Sequence, residues 1–154
     1  KGLAQDYYLT GREWPYKNVK RKVIAEKYLV DESGVELKDY KLYCFDGKVK
    51  LIMINSDRNK DCSTKADYFD ADFNYEQSSV VPSKPLYFEE MKMLAEKLSK
   101  GMPHVRIDFY IADNRVYFGE MTFFDGSGFD AFGDIKYANM LGEWIKLPEP
   151  VVRD

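Results

Sequence analysis

The sequence has 154 residues, of which 45% are hydrophobic and 32% charged, and a formal net charge of -3 at pH 7. A chain of this size is expected to form one core and one compact unit. The slight negative charge argues against nucleic-acid binding through phosphate neutralisation, and no apolar run reaches the ~18 residues of a membrane helix. Cys44 and Cys62 fit neither a zinc motif nor a disulfide scaffold, and we interpret them as reduced thiols of a cytoplasmic protein.

The first third of the chain predicts a short helix, a strand and a β-hairpin. Residues 1–21 predict the helix, followed by a loop, because Gly and Pro interrupt a polar and aromatic stretch. The β-branched, apolar run KVIAEKYLV (22–30) predicts a buried strand. In DYKLYCFDGKVKLIMINS (39–56) apolar and polar residues alternate, and Asp46-Gly47 supplies the residues of a type I′ turn, so this stretch predicts a hairpin.

The remaining elements are a strand and two helices, with a second hairpin between the helices. ADYFDADF (66–73) alternates aromatic and acidic residues and predicts one strand with an exposed face. The first helical stripe follows Pro85 and ends near Gly101; it consists of Tyr87, Met91, Leu94, Ala95 and Leu98. The second ends before Pro148 and consists of Tyr137, Met140, Leu141, Trp144 and Ile145. The fold class predicted is α+β, a mainly antiparallel sheet with two or three flanking helices.

The second hairpin, VRIDFYIADNRVYFGEMTFFDGSGF (105–129), carries one carboxylate in each of its two apolar strands, Asp108 and Glu120. A two-residue turn would leave the two acids on opposite faces of the hairpin. A three-residue loop, 113–115, would set them directly across from each other, with Cβ atoms about 4.5–5.5 Å apart. We therefore expect the three-residue loop if the two acids form one site.

Two carboxylates this close repel each other, so they must share a proton or be held by a cation. Mg²⁺ fits, because one or two carboxylates and phosphate oxygens bind it. Arg106 flanks Asp108 and Thr122 flanks Glu120, which gives a polar patch opposite an apolar face. The alternative is a solvated face on which the acids pair with Arg106, Arg115 or a lysine. The loop DGSG that follows can present backbone N–H groups to an anion.

Four stretches of the chain resemble the TupA-like ATP-grasp family, which is associated with teichuronopeptide and other cell-surface polysaccharide biosynthesis. They are REWPYKNVKRKVIAEKYL, DYKLYCFDGKVK, LAEKLSKGMPHVRIDFY and VYFGEMTFFDGSGF. The resemblance implies that residues 1–154 form a single ATP-grasp C-terminal-type domain, a fragment of a larger two-lobed fold. The Gly-rich loop and phosphate-binding lysine of the other lobe would precede Lys1, so we expect this chain alone to be inactive.

The resemblance also implies cofactors, ATP and Mg²⁺, and residues that bind them. Asp108 and Glu120 would be metal ligands, together with Thr122, which stands where ATP-grasp enzymes usually have asparagine. Lys41 would reach ribose or phosphate, with a solvent-exposed lysine as the alternative. The hinge that contacts adenine would consist of Glu26, Lys27, Tyr28 and Leu29.

The implied chemistry is ligase-type: activation of a carboxylate as an acyl phosphate, followed by attack of an amine or similar nucleophile. Arg106 is the candidate catalytic residue, and it would hold phosphate or the acyl acceptor together with the 125–128 loop, in particular Ser127 and Gly128. The expected partners are a nucleotide and a small-molecule or glycan acceptor.

Two other functions remain open from the sequence. One is a glycosyltransferase of lipopolysaccharide or capsule biosynthesis, in which an acid pair also binds a metal on the diphosphate of a nucleotide sugar. Its DxD signature occurs only at 70–72, outside a Rossmann-like setting. The other is a non-catalytic glycan-binding module, and acids on opposite faces of the hairpin would favour it.

Overall fold

The computed structural model describes residues 7–34, 36–56, 65–75, 83–129 and 134–149. One antiparallel sheet in these residues has the strand order β3-β2-β1-β4-β5. Its strands are β1 (Asp39–Phe45), β2 (Lys48–Ser56), β3 (Lys65–Asp70), β4 (His104–Ala112) and β5 (Arg115–Thr122). The helices are α1 (Tyr7–Gly11), α2 (Phe88–Leu98) and α3 (Ile135–Trp144), with short 3-10 turns at Trp14–Tyr16 and Asp125–Gly128. The predicted α+β class with a mainly antiparallel sheet is confirmed.

The first hairpin, β1–β2, forms as predicted around a two-residue turn. Asp46 and Gly47 both have positive φ, 49° and 74°, as a type I′ turn requires. Along β1, Leu42 and Cys44 face the larger hydrophobic core, whereas Tyr43 faces the opposite side of the sheet. Because side chains alternate along a strand, Lys41 shares the side of Tyr43, which is where the polar site is built.

Helix α2 covers one face of the sheet and forms the larger core with it. Its buried residues, Phe88, Met91 and Ala95, pack against apolar side chains of β1, β2 and β4. The predicted stripe is therefore confirmed at its centre, although Leu98 at its end is exposed. Gly101 follows the helix with a φ of 77°, a conformation that glycine adopts without steric cost.

Helix α3 covers part of the other face, where Tyr137 and Leu141 pack against Tyr43, Phe45 and Leu51 in a smaller core. Its first turn is capped by the carboxylate of the residue before it, which accepts a hydrogen bond from the second backbone N–H of the helix at 2.8 Å. The second predicted helix is thus confirmed, although Ile145 of its predicted stripe follows the helix and is exposed. The remainder of this face, over β4 and β5, is not part of either core and holds charged side chains.

Strand β3 is shorter than the predicted strand 66–73 and is less exposed. The carboxylate of Asp70 accepts hydrogen bonds from the backbone N–H groups of Asp72 and Asn74, each at 2.9 Å, and so turns the chain. The prediction that the acidic side chains face solvent is wrong for Asp67, which is buried and accepts a hydrogen bond from Tyr75 at 2.6 Å.

The buried strand predicted for 22–30 is wrong. These residues form no strand, and Val23, Ile24 and Tyr28 are 78%, 78% and 81% exposed. Two contacts place the chain antiparallel to β5 here. Before the segment, the Tyr16 hydroxyl accepts from the backbone N–H of Phe123, just after β5, at 2.9 Å, and within it Lys27 lies 3.4 Å from Asp113 in the turn before β5. In the described part of the chain no ladder of backbone hydrogen bonds joins it to β5, so the pairing that would bury a strand is missing.

His104 is expected to make stability depend on pH. Its ring stacks on Phe45 with centroids 4.5 Å apart, its Nδ1 lies 3.0 Å from the Cys44 carbonyl oxygen, and burial lowers its pKa. Below a pH of about 6.5 the unfolded chain therefore takes up a proton that the folded chain resists. The contribution of His104 to stability should be constant above this pH and fall as the pH drops through it.

The measurement is the urea midpoint of unfolding at about pH 7.5 and about pH 5.5, for the wild type and His104→Gln. The variant should be less stable but lose part of the dependence on pH in this window. An equal change in midpoint for both proteins would contradict the prediction.

Candidate functional site

The turn between β4 and β5 has two residues, so the predicted three-residue loop is wrong. Ala112 pairs with Arg115, and the two residues between them, Asp113 and Asn114, have φ values of 50° and 56°. This is a type I′ turn, whose twist matches that of the flanking strands, and Asp and Asn tolerate the left-handed conformation. Turn geometry alone would place the two acids of the hairpin on opposite faces.

A β-bulge brings Asp108 and Glu120 back to one face. Phe109 pairs with Phe118, but the next paired residues are Ile107 and Met121, so that two residues of β5 lie opposite Asp108. The extra residue shifts the alternation of β5 by one position. The predicted common face is thus confirmed, for a reason other than loop length.

Gly119 is the residue that lets this bulge form. A Cβ atom at this position would lie 2.8 Å from the ring of Tyr110 and 3.1 Å from the backbone oxygen of Asp108. Real Cβ atoms essentially never show the first of these distances, and the second is tighter than nine in ten real Cβ contacts. The close approach of β4 and β5 at the bulge therefore requires glycine.

Arg106 joins the side chains of the polar face into one hydrogen-bonded network. Its Nε donates to Asp108 Oδ1 at 2.7 Å, and its Nη2 donates to Asp108 Oδ2 at 2.8 Å and Glu120 Oε1 at 2.7 Å. Nη2 also lies 3.1 Å from the Thr122 hydroxyl, and Nη1 donates to Asp125. Pairing of the acids with Arg106, the alternative interpretation from sequence, is therefore confirmed. The face is only partly solvated: Arg106 is 6% and Asp108 1% exposed, whereas the Glu120 side chain is 59% exposed.

Lys41 is a buried member of the same network, so the alternative of a solvent-exposed lysine is wrong. Lys41 and Asp108 are direct partners across β1 and β4. The lysine Nζ lies 2.7 Å from Asp108 Oδ2 and 2.8 Å from Asp39 Oδ2. Lys41 is 8% exposed. Its contact with the ribose or phosphate of ATP stays a prediction.

The DGSG loop after β5 is tied into the network by its first residue. Asp125 accepts hydrogen bonds from Arg106 and, at 2.8 Å, from the Tyr43 hydroxyl. The three following residues all have positive φ, which makes a tight turn, and Ser127 Oγ donates to Glu13 Oε1 at 2.6 Å. An anion-binding nest in this loop stays a prediction.

Burial and neighbouring charges determine the protonation states of Arg106 and Tyr43. Burial lowers the pKa of Arg106, but hydrogen bonds and the charges of Asp108 and Asp125 outweigh it and raise that pKa, so the guanidinium stays charged. Burial, followed by the charge of Asp125, raises the pKa of Tyr43, whose hydroxyl therefore keeps its proton and donates. Arg106 is a permanently charged group in a fixed orientation.

Two clefts border the hairpin. The larger, of about 960 Å³, is the acid cleft; it is lined by Arg106, Glu120, Thr122, Asp125 and Ser127 on one side and by Lys20, Arg21 and Lys22 on another. The smaller, of about 650 Å³, is the hinge cleft; it is lined by all four predicted hinge residues, Glu26, Lys27, Tyr28 and Leu29, and by Leu37, Tyr110, Arg115, Tyr117 and Phe118. Both clefts lie between β5 and the extended segment that precedes β1.

The predicted site residues are therefore divided rather than gathered in one pocket. The acid cleft collects Arg106, Glu120, Thr122 and Ser127, whereas the hinge residues line the neighbouring cleft. Lys41, Asp108 and Gly128 line neither. Asp108 does not line the acid cleft but orients Arg106, which does, through two hydrogen bonds.

Sequence reasoning did not assign roles to Asp39, Tyr43, Glu13 and the acid of the DGSG loop. A signal existed for Asp39, since it lies two residues before Lys41 on a predicted strand and must share its face. The contact of Tyr43 with Asp125 spans 82 positions of the sequence and depends on the pairing of β1 with β4. The local sequence pattern around either residue does not show that β1 pairs with β4.

The residues in this arrangement do not fit a metal ion. Both oxygens of Asp108 accept hydrogen bonds from Arg106, and one also from Lys41. Within the described ranges no group of three or more His, Cys, Asp or Glu side chains is placed to hold a metal. The metal roles of Asp108, Glu120 and Thr122 stay predictions.

Comparisons with known proteins give one match. The family model described as TupA-like ATPgrasp matches residues 1–146, nearly the whole chain. Neither the curated proteins nor the solved structures yield a match. Among the described residues, no helix is both long and apolar enough to cross a membrane. The chain therefore belongs to the TupA-like ATP-grasp family, and this membership indicates an ATP-dependent, ligase-like enzyme.

Proposed function

We propose that this protein is an ATP-dependent, ligase-type enzyme of cell-surface polysaccharide biosynthesis that activates a carboxylate for attack by an amine or similar nucleophile. The observation that carries the proposal is the charged Arg106, which the buried carboxylate of Asp108 holds in the wall of the acid cleft. A preorganised cation of this kind stabilises negative charge that develops during phosphoryl transfer. Family membership supports the nucleotide part of the proposal.

The two clefts suit the two ends of ATP. The hinge cleft offers exposed aromatic and aliphatic side chains, among them Tyr28 and Phe118, to a flat base. The acid cleft offers Lys20, Arg21, Lys22 and Arg106 to the phosphates, while Glu120 stays accessible at 59% side-chain exposure. A ligand that spans both clefts would follow the outer side of β5.

The direct test is calorimetric titration of the full-length protein with ATP and with a panel of nucleotide sugars. We expect ATP to bind and the nucleotide sugars to bind at least about tenfold more weakly. Preferential, saturable binding of a nucleotide sugar would favour the glycosyltransferase instead. Binding of glycans without any nucleotide would favour the binding module, although the common face of Asp108 and Glu120 speaks against it.

The phosphate end is tested by reversing charge on the wall of the acid cleft. Lys20→Glu with Lys22→Glu should weaken ATP binding by about tenfold, because both side chains line the cleft and would repel the triphosphate. The loss should shrink at high salt, which screens exposed charges. The matched control is Lys97→Glu with Lys100→Glu, two exposed lysines outside both clefts. Equal losses in the two double variants would contradict this position of the phosphates.

The base end is tested by Tyr28→Ala. Stacking of an aromatic ring on a base contributes ~1–3 kcal/mol, so ATP affinity should fall by about tenfold. The melting temperature should hardly change because Tyr28 is 81% exposed. Leu86→Ala, at an equally exposed apolar residue outside both clefts, is the control for both measurements. Unchanged ATP affinity in Tyr28→Ala would remove the hinge cleft from the proposal.

A further inference from the structure

The position between Asp108 and Glu120 already contains a cation, and it is a side chain. Arg106 Nη2 lies 2.8 Å from Asp108 Oδ2 and 2.7 Å from Glu120 Oε1. A divalent cation shared by the two acids would need the same two oxygens at shorter distances, about 2.0–2.1 Å for Mg²⁺. The guanidinium group and such an ion therefore compete for one place.

We infer that Arg106 is the built-in counter-cation of this carboxylate pair, and that it excludes divalent cations from the pair in the ligand-free protein. Removal of the guanidinium group would then open a cation site made of Asp108 and Glu120. The inference concerns the proposed site but is tested without nucleotide. Its failure is therefore distinguishable from failure of the proposed function.

Charge balance at the site supports the inference. Four carboxylates, Asp39, Asp108, Glu120 and Asp125, lie in the network with two cations, Lys41 and Arg106. Their sum is 2 - 4 = -2 with Arg106 and 1 - 4 = -3 without it. Of the two cations, Lys41 would remain, and its ion pairs are with Asp39 and Asp108. A divalent cation is the natural replacement, because like charges this close require an opposite charge.

The buried contacts of Arg106 make its displacement by a divalent cation unfavourable. Arg106 donates to Asp108 through two nitrogen atoms, the parallel two-bond geometry that makes guanidinium–carboxylate pairs strong. Asp125 from the loop after β5 holds its Nη1. A divalent ion would have to break these contacts before it reached Asp108, which is 1% exposed.

The experiment measures Mn²⁺ binding in the absence of nucleotide, by the electron paramagnetic resonance signal of free Mn²⁺. The variants are Arg106→Met and the double variant Arg106→Met with Asp108→Asn, and the matched control is Arg115→Met, at an exposed arginine of the same hairpin. We expect Arg106→Met to bind Mn²⁺ at least about tenfold more tightly than the wild type and the control. The double variant should lose this gain.

Two results would overturn the inference. One is equal Mn²⁺ affinity of the wild type and Arg106→Met. The other is a gain in affinity that survives in the double variant, because the ion would then lie elsewhere. Bound Mn²⁺ should also raise the melting temperature of Arg106→Met and leave that of the wild type unchanged, since a ligand that binds only the folded state stabilises it.

The wild type provides an independent measurement if Arg106→Met does not fold. The Nε–H resonance of Arg106 is followed by NMR during titration with Mg²⁺. We expect no saturable binding near Asp108 and Glu120 and an unmoved Arg106 resonance. Saturable Mg²⁺ binding at these two carboxylates would refute the exclusion, whether or not the Arg106 resonance moves.

Discussion

Asp108→Ala is expected to lower the free energy of unfolding by about 3–5 kcal/mol, the usual cost of removing one partner from a buried ion pair. Asp108 accepts from Arg106 through both of its oxygens and from Lys41 through one of them. Its loss leaves two cations, each less than a tenth exposed, without their shared acceptor. Urea denaturation monitored by circular dichroism measures the change.

Glu90→Ala is the control for this substitution. It removes a carboxylate from the exposed side of α2, far from the network, and should change stability by no more than about 0.5 kcal/mol. A cost below about 1 kcal/mol for Asp108→Ala would contradict the role given to the network.

Gly119→Ala is expected to have the second large effect, because it places a Cβ atom against a backbone oxygen. The tyrosine ring that the Cβ atom would meet at 2.8 Å can rotate, but the Asp108 carbonyl at 3.1 Å cannot move without disturbing β4. Overpacking of this kind costs about 1–3 kcal/mol. We also expect a changed NMR signal of the Arg106 Nε–H group, because a shift of the bulge moves Glu120 relative to Arg106.

Gly142→Ala makes the same chemical change where there is room. It lies inside α3, and a Cβ atom there would meet nothing within 4 Å. It should leave the protein as stable or stabilise it by about 0.5–1 kcal/mol, because alanine favours a helix over glycine. If Gly119→Ala were tolerated as well as Gly142→Ala, the bulge would not depend on glycine.

The local parts of the fold could be predicted from the sequence. Asp46-Gly47 supplies the residues that a type I′ turn requires, and the turn formed there as predicted. The helices could be predicted from apolar spacing and from a stop signal such as Pro148. These features depend on neighbours within a few positions, which a sequence shows directly.

Features that depend on pairing between distant segments could not be predicted in the same way. The run at 22–30 has the composition of a strand, but no strand pairs with it in the described part of the chain. At the bulge β4 and β5 approach so closely that a Cβ atom at position 119 would collide with the Tyr110 ring, and spacing alone predicted a longer turn instead. The common face of the two acids was therefore predicted correctly through an incorrect register.

The residues that form the site could be predicted from the sequence, but the cation that neutralises its carboxylates could not. Arg106, Asp108, Glu120 and Thr122 were expected on one face and are found in one network. The cation that joins the acids was expected to be Mg²⁺, whereas the structure contains the guanidinium group. Arg106 is two residues from Asp108 on one strand, but only the three-dimensional arrangement shows that its Nη2 reaches β5 as well.

The network also links the site to the fold itself. Its members come from β1, β4, β5 and the loop after β5, and they lie on the same side of the sheet as α3. Side chains that would handle a ligand thus also hold these segments together. Single substitutions within the network should therefore lower the stability of the protein. Changes of specificity should arise more readily from substitutions in the exposed walls of the two clefts.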